Sequence, residues 1–80
     1  MNVEKLTRLA ISDNGFIFDP ITGHSFTTNE IGIKIINLLK ENKENEDILD
    51  ELAEIYSVNE NELDVDLMDF IHNLKNFSLV

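Results

Sequence analysis

Histidine is the side chain best suited to moving protons near neutral pH, and the chain carries two, His24 and His72. Acid–base or nucleophilic catalysis would require one of them to meet a carboxylate or a nucleophile within hydrogen-bond reach. They fall on different predicted elements, no cysteine exists to be activated, and nothing in the pattern forces such a meeting. Each reads as a solvated or half-buried histidine. The run Asn59, Asn61, Glu62, Asp64, Asp66 brings oxygen ligands close together, but a calcium loop needs them at alternating positions around a central glycine. Leu63 takes a ligand position there and no glycine is present. Helix capping and a solvated acidic face explain the run, and no metal is expected.

Other chemistries fall away by the same test. Gly15, Gly23 and Gly32 lie at no spacing that would ring a pyrophosphate. An acyl carrier bears its arm on the serine of an Asp-Ser-Leu motif; Ser12, Ser25 and Ser57 lack both neighbours, and Ser78 precedes Leu79 but follows Phe77. The absence of cysteine removes disulfides and thiolate metal sites together. The expectation is a protein without catalysis and without a cofactor.

The elements that would position any binding site follow from composition and period. Eighty residues suffice for one domain, and 42% hydrophobic residues with a single proline describe a packed globule. Glu4 and Asp13 break any apolar run at the start, so neither a signal peptide nor a membrane span is read there, and a cytoplasmic protein is expected. Sixteen acidic against six basic side chains, formally −10, repel phosphate backbones and disfavour nucleic acid.

Aliphatic and β-branched residues over VEKLTRLAI predict a first strand, and Phe16, Ile17 and Phe18 a second, with Asp13-Asn14-Gly15 as the hairpin turn. Asp19-Pro20-Ile21-Thr22-Gly23 is a reverse turn into a short third strand, His24 to Thr28, with His24, Phe26 and Thr28 on one face. Thr27 and Glu30 have capping-box spacing for a first helix that carries Ile31, Ile35, Leu38 and Leu39 and stops in the polar stretch 41–45. Asn45 is placed to cap a second helix, with Ile48, Leu49, Leu52, Ile55 and Tyr56 as its stripe, ending near Ser57. Asn59 and Glu62 begin a third, whose core face is Leu63, Leu67, Phe70, Ile71 and Leu74; the tail from Phe77 to Val80 packs or frays. The fold class is α+β: a small three-stranded antiparallel sheet followed by three helices, winged-helix-like. Gly32, costly by about 1 kcal/mol inside a helix, is explained either by close packing against the sheet or by simple tolerance.

From Phe16 to Val80 the chain resembles the PqqD-like family of precursor-peptide recognition domains. The resemblance rests on FDPITGHSFTTNEIGIKIINLL, with Asn29 after the third strand and a small residue, Gly32, three positions on. It continues in Ile48, Leu52, Ala53, Tyr56 and Val58, then in Asp66, Phe70, Leu74 and the closing Ser78-Leu79-Val80. Thr28 stands where the family usually has Leu, and Ser78 where it often has Gly. The tryptophan common near the end of pyrroloquinoline quinone proteins is absent, which points to a member serving another peptide product.

The resemblance implies a stand-alone chaperone whose third strand offers its edge to the leader of a ribosomally made precursor, which is then presented to a modifying enzyme, by family analogy a radical S-adenosylmethionine enzyme. Main-chain bonds from Ser25, Phe26, Thr27 and Thr28 would supply affinity, and side chains of the third helix, Asp64, Leu67, Met68 and Ile71, would line the site. The alternatives are a regulatory subunit that docks on an enzyme without holding a peptide, and a winged-helix nucleic-acid binder. An exposed edge strand also leaves a monomer and a strand-exchanged dimer open.

Overall fold

The computed structural model describes residues 3–56 and 59–80. Strands β1 (Ala10–Ile11), β2 (Phe16–Phe18) and β3 (Ser25–Thr27) form one antiparallel sheet in the order β1-β2-β3. Helices α1 (Glu30–Lys40), α2 (Asn45–Ile55) and α3 (Glu60–Asn76) follow. The expected α+β order of three strands and three helices holds. The predicted helix end at Ser57 and the family-pattern position Val58 lie outside the described residues.

The first strand is shorter than its composition predicts, because Glu4–Arg8 forms a 3₁₀ helix. A helix of three residues per turn stacks positions i, i+3 and i+6 on one face. Val3, Leu6 and Leu9 have that spacing and are inward, Leu6 being fully buried. This segment packs against α1, where Ile36 is also fully buried although it lies off the predicted stripe. The 3₁₀ helix is anchored from its far end: Arg8 donates from Nε and Nη2 to the two carboxylate oxygens of Asp19, at 3.0 and 2.7 Å. Asp19 also accepts the Ile21 amide at 3.0 Å and its side chain is only 4% exposed. The proline-glycine turn is thereby tied to the chain start, and Arg8 foremost holds the Asp19 carboxyl at a pKa of about 2.

The β1–β2 hairpin closes with Gly15 N–H on Ser12 O at 3.1 Å and Ser12 N–H on Phe16 O at 2.9 Å. Gly15 alone in that turn takes a positive φ, of 88°. A side chain there would also collide with the Thr28 carbonyl.

Helix boundaries differ from the capping predictions by one or two residues. Asn29, and not Thr27, caps α1: its Oδ1 accepts the Gly32 amide at 2.9 Å. The α2 cap position is Glu44, without a side-chain bond, so Asn45 is already inside the helix. Asn59 caps α3 as expected, accepting from the Asn61 amide at 2.7 Å. On α2, Ile48 and Leu52 are fully buried, but Ile55, placed on the stripe by periodicity, is 54% exposed at the helix end.

Helices α1 and α3 stop in the same way. Asn42, at φ 60°, follows α1, with bonds from Asn42 N–H to Leu39 O and Lys43 N–H to Leu38 O. Ser78, at φ 59°, follows α3, with bonds from Ser78 N–H to Lys75 O and Leu79 N–H to Leu74 O. Both are Schellman motifs, which satisfy the last carbonyls through one left-handed residue. In the second, Leu79 folds back beside Leu74 and both are buried. The tail therefore packs, helped by Lys5 Nζ donating to Ser78 O at 3.0 Å.

Candidate functional site

Two backbone bonds bracket the β2–β3 register: Thr28 N–H to Gly15 O and Asp19 N–H to His24 O, both 2.8 Å. Between them Phe16 pairs with Thr27, Ile17 with Phe26 and Phe18 with Ser25. Antiparallel pairs alternate between bonded and unbonded, so His24, Phe26 and Thr28 turn their amides and carbonyls toward β2. Those of Ser25 and Thr27 point outward, across the free edge of the sheet. Among the described residues no strand lies beyond β3.

Beside that edge is a groove of about 210 Å³ between β3 and the C-terminal half of α3, lined by Phe26, Thr27, Thr28, Phe70, Asn73, Leu74 and Phe77. The pleat sends Phe26 and Thr28 to the helix-facing side with buried Ile17. Phe77 stacks on Phe26 and is itself half exposed. The Schellman motif after α3 sets its position. The spacing of Asn29 and Gly32 acquires a physical reason here: Asn29 turns the chain from β3 into α1 by capping the Gly32 amide. A Cβ on Gly32 would strike Thr28 Oγ1 and come within 2.9 Å of Phe70 Cε1. Glycine thus lets α1 press against two residues of the groove wall.

Of the residues the sequence pointed to, Phe26, Thr27 and Thr28 come together on the groove. Ser25 lies on the same strand and borders a small cavity with Asp19, His24 and Phe77. Helix α3 keeps its expected core face of Leu63, Leu67, Ile71 and Leu74, but the α3 residues named for the site do not border the groove. Leu67 is fully buried and Ile71 is 4% exposed, both in the core, while Met68 and Asp64 are exposed on α3 and away from the groove. The residues that line the groove on and just after α3 are Phe70, Asn73, Leu74 and Phe77, and none of Asp64, Leu67, Met68 and Ile71. Phe70 and Leu74 were read only as core. The missed signal is the i, i+3, i+7 spacing of Phe70, Asn73 and Phe77, one flank of the core stripe.

Charge is unevenly distributed along the chain. Residues 44–80 hold eleven of the sixteen acidic side chains and one lysine, whereas residues 1–43 hold five acids and five bases. The net charge of −10 therefore belongs to the α2–α3 half. His24, exposed just before β3 and not in the strand as expected, and His72, exposed on α3, lie apart, and among the described residues no group of three His, Cys, Asp or Glu is placed to hold a metal ion. Among them, too, no helix is long and apolar enough to cross a membrane. The arrangement offers main-chain donors and acceptors on one side and an apolar, aromatic wall on the other, which suits an extended chain.

Comparison with known proteins identifies the fold and the family. A solved structure of TbiB1 in complex with the TbiA(beta) leader peptide is similar to the chain with a TM-score of 0.77 and 33% sequence identity, over 89% of this chain and 84% of that one. Curated protein sequences give no match. The family model for coenzyme PQQ synthesis protein D (PqqD) matches residues 14–80, which span β2, β3 and all three helices, so the chain belongs to the PqqD family.

Proposed function

We propose that the β3 edge takes the leader of a ribosomally made precursor peptide as a fourth strand, and that the chain presents this peptide to a modifying enzyme. One observation carries the reading: Ser25 and Thr27 direct their backbone groups outward directly beside the Phe26–Phe70–Phe77 groove. Main-chain pairing gives sequence-tolerant affinity, and the groove selects alternate side chains of the guest. The complex of TbiB1 with a leader peptide, in a chain of the same fold, supports it. The chain acts as a binder with no catalytic step of its own. A radical S-adenosylmethionine enzyme is the partner class proposed, from the family resemblance, and the setting is cytoplasmic.

The test is calorimetric titration with the precursor encoded in the same genomic neighbourhood, together with amide spectra. Saturable binding with shifts concentrated at residues 24–28 and at Phe70, Asn73 and Phe77 is expected. Binding to the modifying enzyme without any binding of the precursor would replace this reading with a regulatory subunit.

A further inference from the structure

The face of the sheet opposite the helices carries Ala10, Ser12, Phe16, Phe18, Ser25 and Thr27, with cross-strand pairs Ala10–Phe18, Phe16–Thr27 and Phe18–Ser25. Phe16 is 47% and Phe18 37% exposed, and a shallow depression of about 340 Å³ is bordered by both. No residue of this face is ionisable, on a chain whose entire net charge lies in residues 44–80. Two adjacent exposed phenylalanines on an uncharged surface match the centre of a protein interface, where charge is depleted and aromatics are enriched.

We infer that this outer face, centred on Phe16 and Phe18, is the seat of the modifying enzyme, which covers it with an apolar, uncharged surface when a peptide occupies the β3 edge. The inference rests on the peptide-binding reading and adds the surface by which the loaded module is recognised. Continuity argues for this occupant. A strand added to β3 places alternate side chains beside Ser25 and Thr27, hence on the face that holds Phe16 and Phe18. A protein seated there touches module and guest together, and an empty module offers it only part of the contact. A second copy is the poorer occupant, because pairing would bring two bodies of charge −10 together.

The experiment uses the full chain with the precursor and the modifying enzyme encoded in the same genomic neighbourhood. Wild type is compared with Phe16→Ser/Phe18→Ser and with Ala10→Lys, which puts a charge on the face while keeping both rings. Leader affinity is read by calorimetry, binding of the loaded module to immobilised enzyme by surface plasmon resonance, and mass by sedimentation. Leader affinity should stay within about twofold in both variants, while binding to the enzyme falls by about tenfold or more. Enzyme binding that is unchanged in Ala10→Lys with intact leader binding overturns the inference and leaves the peptide reading standing. A wild-type dimer abolished by either variant overturns it in favour of a second copy. Failure of wild type to bind the leader sinks the peptide reading, and the inference with it.

Discussion

Phe26 and Phe77 lie parallel, ring centroids 5.1 Å apart and planes 9° from each other, joining the edge strand to the residue that ends α3. The geometry is within the range of offset stacking, worth about 0.5–1.5 kcal/mol beyond burial. It makes the end of the groove a rigid aromatic wall. Phe77→Ala should therefore keep the fold, since the ring is half exposed, yet weaken leader binding by about tenfold. Calorimetry beside a melting curve separates the two effects.

Proline at two neighbouring positions tests the direction of the backbone groups. The Thr27 N–H faces outward in the register given above, so Thr27→Pro removes a donor needed by a guest strand while sparing the β2–β3 ladder. A folded protein with leader affinity reduced at least about tenfold is expected. Phe26→Pro removes an N–H directed at Ile17 and leaves the Ile17 carbonyl without its ladder partner, which should cost about 1–3 kcal/mol, visible as a large loss of melting temperature. Equal stability of the two variants would contradict the register.

Ser78 holds a left-handed conformation, φ 59°, that glycine adopts without steric cost. Ser78→Gly should stabilise the protein by about 1 kcal/mol and raise the melting temperature by about 4–8 °C for a domain of this size. Leader binding should not fall.

Acid should unlock the Arg8–Asp19 clamp. The folded Asp19 carboxyl, at a pKa of about 2, lies below its ordinary 3.8. A lowered acid pKa contributes stability that is complete above the unfolded value and is lost as pH falls through the folded one. The window is thus from about pH 4 down to about pH 2. Asp19→Asn should lower the melting temperature at pH 7 and flatten its decline across that window, measured by circular dichroism against wild type.

Periodicity and turn chemistry in the sequence were enough to establish the order of three strands and three helices, the Asp13–Gly15 and Asp19–Gly23 turns, and the core stripes of α1 and α3. Those depend on interactions within a few residues, which one chain displays directly. Some long-range features were also written in local spacing but admitted two readings: Val3, Leu6 and Leu9 fit a three-residue turn once Arg8 is seen to clamp Asp19. What only the tertiary structure decided is which side chains flanking the α3 core stripe border β3. Leu67 and Ile71 against Phe70, Asn73 and Phe77 are neighbouring flanks of one helix, and the sequence has no term for which flank meets β3. That choice is made where Gly32 lets α1 close on Thr28 and Phe70, and where Phe77 reaches Phe26 across 51 residues of chain.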